Sequence, residues 1–264
     1  MRVFITGSGG GLGRAMAVEC AKRGYDLFLT DIHTSCLEAI KCGIMRRYDV
    51  DIVIHACDLT NADDLERMMR DIDAQGLSFD MMLGIAGVDY EGGFLEREIG
   101  KIRTILRLNI EATLSVTHAV LSRRTPGQRF HLVFVSSLAS MYPIPLKATY
   151  AASKRFLLDF SIALGQELRN EDVRVLSLCP GGLATTQKAM NGIAAQGMWG
   201  QATTNRLETV AHRTISRVLR GRRTYYPGVV NRVFSILGQM LPRTLIAKLL
   251  YNRWHTAQKK WLAT

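Results

Sequence analysis

Apolar positions along this chain fall into two alternating patterns. Short apolar runs are followed, again and again, by longer stretches whose apolar residues recur every three or four positions. Val3–Thr6 is the first run and ends in glycines; Leu12–Arg23 follows with helical spacing. Asp26–Thr30 is a second run, Ser35–Tyr48 a helix, Ile52–Ala56 a strand, and Ala62–Ala74 a helix opened by Asn61. Met81–Ile85 is the fourth strand, Ile99–Arg123 a long helix and His131–Ser136 the next strand. The helix Tyr150–Arg169 leads into a strand at Arg174–Leu178, which stops at Pro180. Strands alternating with helices predict βαβ units, hence an α/β fold with a doubly wound parallel sheet and helices on both faces.

The pattern then changes. Gly181–Asn205 carries five glycines and no clear period, as a loop or lid would. Arg206–Arg220 is helical again, Tyr225–Tyr226 is a last short strand, and Asn231–Trp261 is helical with a break at Pro242. The expected organisation is one sheet domain over residues 1–228 and a helical C-terminal extension over 229–264.

Composition adds limits. With 264 residues, 47% of them hydrophobic, the chain can bury one substantial core. Its five cysteines are odd in number and form no CxxC pair, which argues against a disulfide framework or a zinc site and suits a reducing compartment. His55, His118 and His131 have no partner at metal-ligand spacing, and the Met68–Met69 and Met81–Met82 pairs read as core. MRVFITG has no charged segment followed by an apolar one, so no signal peptide and a cytoplasmic location are expected. No apolar run reaches membrane-spanning length.

The net charge of +11 is uneven. Residues 1–200 hold 22 bases and 22 acids, whereas Gln201–Thr264 holds 12 bases and one acid, Glu208. A nucleic-acid enzyme spreads its bases around its groove, so no nucleic-acid partner is expected. From Leu245 the apolar residues Leu245, Ile246, Leu249, Leu250, Trp254, Ala257 and Trp261 share one helical face. Arg243, Lys248, Arg253, Lys259 and Lys260 surround it. Such a helix either packs on the body or a second copy, or lies in a membrane interface.

The candidate chemistry sits at the strand ends. TGSGGGLG follows the first strand and opens a helix. Gly7, Gly11 and Gly13 would allow a tight turn, close backbone approach and close helix packing, leaving N–H groups free for a pyrophosphate. Asp31, ending the second strand, would bond adenosine ribose hydroxyls and repel a 2′-phosphate, favouring NAD over NADP. It could instead cap the next helix, and Arg14 and His33 could tolerate a phosphate. Asp58, with Leu59 beside it, is placed to meet the adenine edge. Tyr150 and Lys154 stand four apart with only small residues between, so a helix stacks a phenol and a cation on one face.

These stretches together resemble the short-chain dehydrogenase/reductase family over roughly the first 185 residues. The glycine spacing is that of its short single-domain members, and Tyr150-Ala-Ala-Ser-Lys154 is similar to its YxxxK motif. The resemblance implies a Rossmann-type fold, and catalysis by Asn109, Ser137, Tyr150 and Lys154. Cofactor contacts would come from Gly7, Gly11, Leu12, Gly13, Asp31, Asp58, Leu59, Ala86, Gly87, Tyr150, Lys154, Pro180, Gly181 and Thr185. One motif departs: where the family has Asn-Asn-Ala-Gly, this chain has Gly84-Ile85-Ala86-Gly87, losing the asparagines that tie neighbouring strands and the cofactor together.

The implied chemistry is hydride exchange between a nicotinamide cofactor and a secondary alcohol or ketone. Tyr150 would carry the proton, its phenolate favoured by Lys154 and by a positive nicotinamide ring. Ser137 would hold the substrate oxygen, and Asn109 a water that links Lys154 to solvent. A bulky apolar substrate such as a hydroxysteroid or long-chain acyl compound is expected. Met190, Ile193, Met198 and Trp199 either line its pocket or pack on the core. Cys179, next to the nicotinamide segment, is either reactive or a buried inert thiol. A homo-oligomer, dimer or tetramer, is the expected assembly. The competing class is a non-catalytic dinucleotide-sensing or scaffold protein of the same fold; a sugar-nucleotide epimerase would need a larger substrate domain.

Overall fold

The computed structural model describes residues 1–184 and 203–251, apart from the side chain of Gln239. Seven parallel strands form one sheet in the order β3-β2-β1-β4-β5-β6-β7. They are β1 (Arg2–Thr6), β2 (Asp26–Asp31), β3 (Ile52–Ala56), β4 (Met81–Gly84), β5 (Phe130–Val135), β6 (Val173–Leu178) and β7 (Thr224–Tyr225). The helices are α1 (Gly11–Lys22), α2 (Thr34–Met45), α3 (Ala62–Ala74), α4 (Ile99–Leu106), α5 (Thr113–Leu121), α6 (Ala148–Glu167), α7 (Leu207–Leu219) and α8 (Val229–Met240). A further helical stretch covers residues 243–251 after Pro242.

Residue alternation along the strands separates two cores. Val3, Ile5, Leu27, Leu29, Met81, Leu83, Val133 and Val135 face α1, α2 and α7. Phe4, Phe28, Met82, Leu132 and Phe134 face α3 and α5 on the other side. Phe4 stacks on Phe28 at 5.0 Å between ring centroids, and Phe79 meets Phe4 edge-on at 5.2 Å. The Met68–Met69 pair and both Met81 and Met82 are core, as the sequence predicts. Strand β5 is buried along its whole length, which explains the apolar run Leu132–Val135.

Chain order and sheet order part between β1 and β4. The first three strands run outward from β1, and the chain then returns to place β4 on its other flank. Ligands of such sheets bind in the crevice outside the carboxyl ends of the strands, where the order reverses.

Two elements differ from their predicted form. The long helix over Ile99–Arg123 contains a π-helical turn, Arg107–Ala112, between α4 and α5. The helix expected at Tyr150–Arg169 starts two residues earlier and tightens into a 3-10 turn, Leu168–Glu171. It ends at Asp172, which is left-handed at φ 53°. Asn61 caps α3 as predicted, accepting from the N–H groups of Asp63 and Asp64.

Candidate active site

The turn after β1 owes its shape to glycine. Gly7 has φ 64°, and a Cβ there would lie 2.8 Å from the Ala86 Cα and N. A Cβ on Gly13 would lie 2.1 Å from the Gly7 carbonyl oxygen. Only hydrogen atoms fit at either place, so α1 seats directly on the turn and the turn on the β4 exit. The N-cap of α1 is Gly10, with no side-chain cap and no acid in the first turn. The first helical bond runs from the Arg14 N–H to the Gly10 carbonyl. The N–H groups of Gly11, Leu12 and Gly13 therefore precede the ladder and point out of the helix end, as an anion requires. Leu12 itself is buried in the core.

Asp31 faces this turn. Its Oδ2 accepts from the Gly9 N–H at 2.9 Å, and its Oδ1 accepts from the Ile32 N–H at 2.9 Å. It does not cap α2, whose N-cap is His33, without a side-chain bond. The carboxylate is thus held beside the Gly-rich turn, where a ribose on the turn would meet it. Asp58 closes its own loop: its Oδ1 accepts from the Thr60 N–H at 2.9 Å and from the Thr60 hydroxyl at 2.7 Å. Leu59 lines a small cleft with Thr6, Gly84, Ala86 and Leu108. The residues present fit a dinucleotide: an uncapped helix start, a carboxylate at the turn and a floor without side chains.

The tie expected to vanish with the missing asparagines is made by another residue. The Thr6 hydroxyl accepts from the Ile85 N–H at 3.0 Å and from the Ala86 N–H at 3.2 Å, joining β1 to the β4 exit.

Farther along the same crevice, α6 brings Tyr150 and Lys154 over the end of β5. The Ser136 hydroxyl donates to the Lys154 carbonyl at 2.7 Å and pins that turn of α6 to the sheet. Lys154 is buried, and its Nζ donates to the Val135 carbonyl at 2.9 Å. Asn109, on the π turn, is fully buried. A Cβ on Gly87 would lie 3.0 Å from the Asn109 Oδ1 and 3.2 Å from the Lys154 Nζ, so both side chains converge on that glycine. The Asn109 amide is already engaged. It accepts from the Val88 N–H at 2.8 Å and donates to the Val88 carbonyl at 3.0 Å and to the Ser153 hydroxyl at 3.1 Å. Both amide hydrogens are thus engaged, and the second lone pair of Oδ1 is the acceptor left for the water expected of Asn109.

Ser137 follows β5, caps the short 3-10 turn Leu138–Met141 by accepting from the Ala139 N–H, and brings its hydroxyl near the Tyr150 phenol. Pro180 accepts from the Leu138 N–H at 2.7 Å, which brings Pro180 and Gly181 beside that turn. A Cβ on Gly181 would lie 2.4 Å from the Thr203 carbonyl oxygen, so the glycine admits the chain returning at residue 203. Thr185 and the apolar set Met190, Ile193, Met198 and Trp199 lie outside the described residues.

Burial dominates the electrostatics of the Tyr150 phenol and pushes it up to about 12. Asp89 and Glu91 add to that rise, while Lys147 and the nearby Ser137 hydroxyl oppose it. Lys154 lies 5.7 Å from the phenol ring centroid, and its own ammonium is held down at about 8 by burial. Burial also pushes the Cys179 thiol up, which makes it the inert alternative.

Lys147, Asp89 and Glu91 form a cluster that sequence reasoning missed. The Lys147 Nζ lies 5.7 Å from the same phenol centroid as Lys154 and donates to the Asp89 Oδ2 at 2.7 Å. Lys147 also pairs with Glu91. Lys147 is the N-cap of α6, outside the helix that the sequence predicts from Tyr150, so the helical spacing did not point to it. Among the described residues no group of three His, Cys, Asp or Glu side chains is arranged to hold a metal.

A family model described as short chain dehydrogenase matches residues 1–195. The very-long-chain 3-oxoacyl-CoA reductase of Laccaria bicolor is 29% identical over 173 residues, 65% of this chain and 51% of the relative. Human 17-beta-hydroxysteroid dehydrogenase type 3 is 29% identical over 184 residues, 69% of this chain and 58% of the relative. The matches thus span little more than half the length of these curated relatives. Among solved structures, a short-chain dehydrogenase from Sphingobium yanoikuyae in complex with NADPH superposes with TM-score 0.74 at 23% identity, covering 90% of this chain and 92% of that one. A 3-oxoacyl-[acyl-carrier protein] reductase with bound NAD from Brucella melitensis superposes with TM-score 0.74 at 23% identity, covering 86% and 89%. With the family's match running from β1 through α6 to the segment beyond Pro180, this chain belongs to the short-chain dehydrogenases, oxidoreductases that use a nicotinamide cofactor.

Proposed function

We propose that this chain oxidises a secondary alcohol or reduces the matching ketone with NAD(H), on a bulky apolar substrate of the hydroxysteroid or long-chain acyl class. The observation that carries the reading is the crevice itself. Ser137, Tyr150 and Lys154 gather at one end, and the Gly9–Asp31 bond marks the other. The dinucleotide, when bound, supplies or takes the hydride. Everything else falls to the protein.

Tyr150 handles the proton. With its phenol pushed up to about 12 it is fully protonated at neutral pH, ready to donate to a carbonyl oxygen in the reductive direction. Ser137, beside that phenol, would offer a second donor to the same oxygen and stabilise charge as it develops. Lys154 would bond the nicotinamide ribose through its Nζ, and its ammonium would then return the phenol toward a usable range. Asn109 acts as a positioning residue, fixing the Val88 backbone and, through Gly87, the space left for Lys154.

Asp31 supports NAD over NADP, since a 2′-phosphate placed at the turn would meet a carboxylate fixed by two backbone bonds. The two curated relatives act, by name, on a long-chain oxoacyl thioester and a hydroxysteroid, which supports an apolar substrate here. The test follows reduced-nicotinamide absorbance with long-chain and steroid alcohols and ketones, offering each dinucleotide in turn. Wild type should prefer NAD(H), and Asp31→Ala should erode that preference by about tenfold or more. Tyr150→Phe should abolish turnover and leave dinucleotide affinity nearly intact. Turnover in Tyr150→Phe, or a wild-type preference for NADP(H), would overturn the corresponding half of the reading.

A further inference from the structure

Helix α8 is turned inside out. Its buried face is Asn231, Ser235 and Gly238, with Phe234 beside them. The Asn231 amide donates to the carbonyls of Thr203 at 3.0 Å and Pro227 at 2.7 Å. The Ser235 hydroxyl donates to the Arg232 carbonyl, the Tyr142 hydroxyl donates to the Phe234 carbonyl, and a Cβ on Gly238 would lie 2.7 Å from the Tyr142 ring. The opposite face is apolar and open. Val229, Val233, Ile236 and Met240, spaced four, three and four apart, are 80%, 50%, 54% and 75% exposed. After Pro242 the stretch 243–251 adds further exposed apolar residues. Ile246 is buried, while Leu245 and Leu249 are exposed. A helix on a water-soluble domain turns its apolar stripe to the core. This one presents it outward, as a contiguous patch does where something else covers it.

Charge identifies the cover. Arg232, Arg243 and Lys248 are exposed around the apolar residues, and no Asp or Glu follows Glu208 anywhere in the chain. A second copy seated on the same face would bring base against base with no acid to offset it. A surface that is apolar within and anionic at its rim matches instead. We propose that α8 and the helical stretch 243–251 form a peripheral docking surface for an anionic lipid bilayer. The helix would lie in the plane of the headgroups with Val229, Val233, Ile236, Met240, Leu245 and Leu249 dipped toward the acyl chains. Twelve residues make a helix only about 18 Å long. Among the described residues no helix is long and apolar enough to cross a membrane. The buried face of α8 rests on Leu138–Met141 and Tyr142, the segment that follows Ser137, so docking surface and site share a wall. The proposal stands whatever the substrate is.

Vesicle sedimentation of the full chain tests it. Vesicles of phosphatidylcholine alone are compared with vesicles that also carry phosphatidylglycerol, at low and high salt. Three bases at the surface predict partitioning about 100-fold stronger onto the anionic vesicles, most of it lost at high salt. The triple variant Val233→Ser, Ile236→Ser, Met240→Ser should bind about tenfold more weakly or worse, with its circular dichroism spectrum unchanged. Arg232→Ser with Lys248→Ser should weaken binding to the anionic vesicles alone, an arm that leaves the apolar face intact. Absence of binding by the intact chain at low salt would overturn the proposal. So would a dimer, by analytical ultracentrifugation without lipid, that the triple variant converts to monomer while vesicle binding stays the same.

Discussion

Replacing Lys154 with methionine is expected to make the protein more stable in the absence of dinucleotide while it loses the ability to hold one. Lys154 is 5% exposed, and burial holds its ammonium at about 8 rather than 10.5. A displacement of that size amounts to about 3 kcal/mol against the charged form in the folded chain. Asp89 and Cys179 oppose the displacement without reversing it. Because the folded value lies below the unfolded one, the unfolded chain binds more protons between about pH 8 and pH 10.5. The cost is therefore present in full below pH 8 and fades as pH rises toward 10.5. Methionine keeps an unbranched stem and removes the charge, but it leaves the Val135 carbonyl without the donor now at 2.9 Å. That loss costs about 1 kcal/mol.

The net expectation at pH 7 is a gain of about 2 kcal/mol, which for a chain of this length corresponds to about 4 °C in Tm. The assay is thermal and urea unfolding of wild type and Lys154→Met without nucleotide, at pH 7 and again near pH 10. The variant should lead at pH 7, and its advantage should shrink or reverse at the higher pH. Isothermal titration should show dinucleotide affinity falling about tenfold or more, since the ribose loses its charged donor. A variant less stable than wild type at pH 7, or an advantage that does not change with pH, would refute the reasoning.

Two further predictions use the same geometry. Gly13→Ala should destabilise the fold by about 1–3 kcal/mol and abolish dinucleotide binding, because its Cβ would lie 2.1 Å from the Gly7 carbonyl oxygen. Gly43→Ala, within α2 and with nothing inside 4 Å, should instead stabilise by about 0.5–1 kcal/mol, and urea midpoints of the pair check both. Lys147→Met should move the pH profile of kcat/KM for alcohol oxidation upward, since the phenol loses a cation that holds it down. Asp89→Asn should move the profile downward, since the phenol loses an anion that holds it up. Profiles that stay in place in both variants would remove the cluster from any account of Tyr150.

What the sequence made legible, and what it left hidden, divides along physical lines. The strand runs were readable because a strand buried on both faces admits few polar residues; in β5 only His131 interrupts the apolar run. The Gly7–Gly13 turn was readable because steric exclusion leaves one residue type at each close approach, and exclusion is written directly in the sequence. Tyr150 and Lys154 were readable because one helix sets their spacing. The π turn at Arg107–Ala112 was not, since one extra residue in a turn barely alters an apolar period, yet it lies where Asn109 reaches Gly87. Lys147 and Asp89 are 58 positions apart and belong to different elements, so nothing local couples them. Their pairing exists only once β4 and β5 are neighbours and α6 is docked. For α8 the lesson is sharper. Periodicity tells that one face of a helix is apolar, but not which way the face is turned. A polar Asn231 and a bare Gly238 suit an inner position only because Thr203, Pro227 and Tyr142 are there to meet them. Turning that face inward sends Val233, Ile236 and Met240 outward, and their orientation follows from what their opposite face can bond.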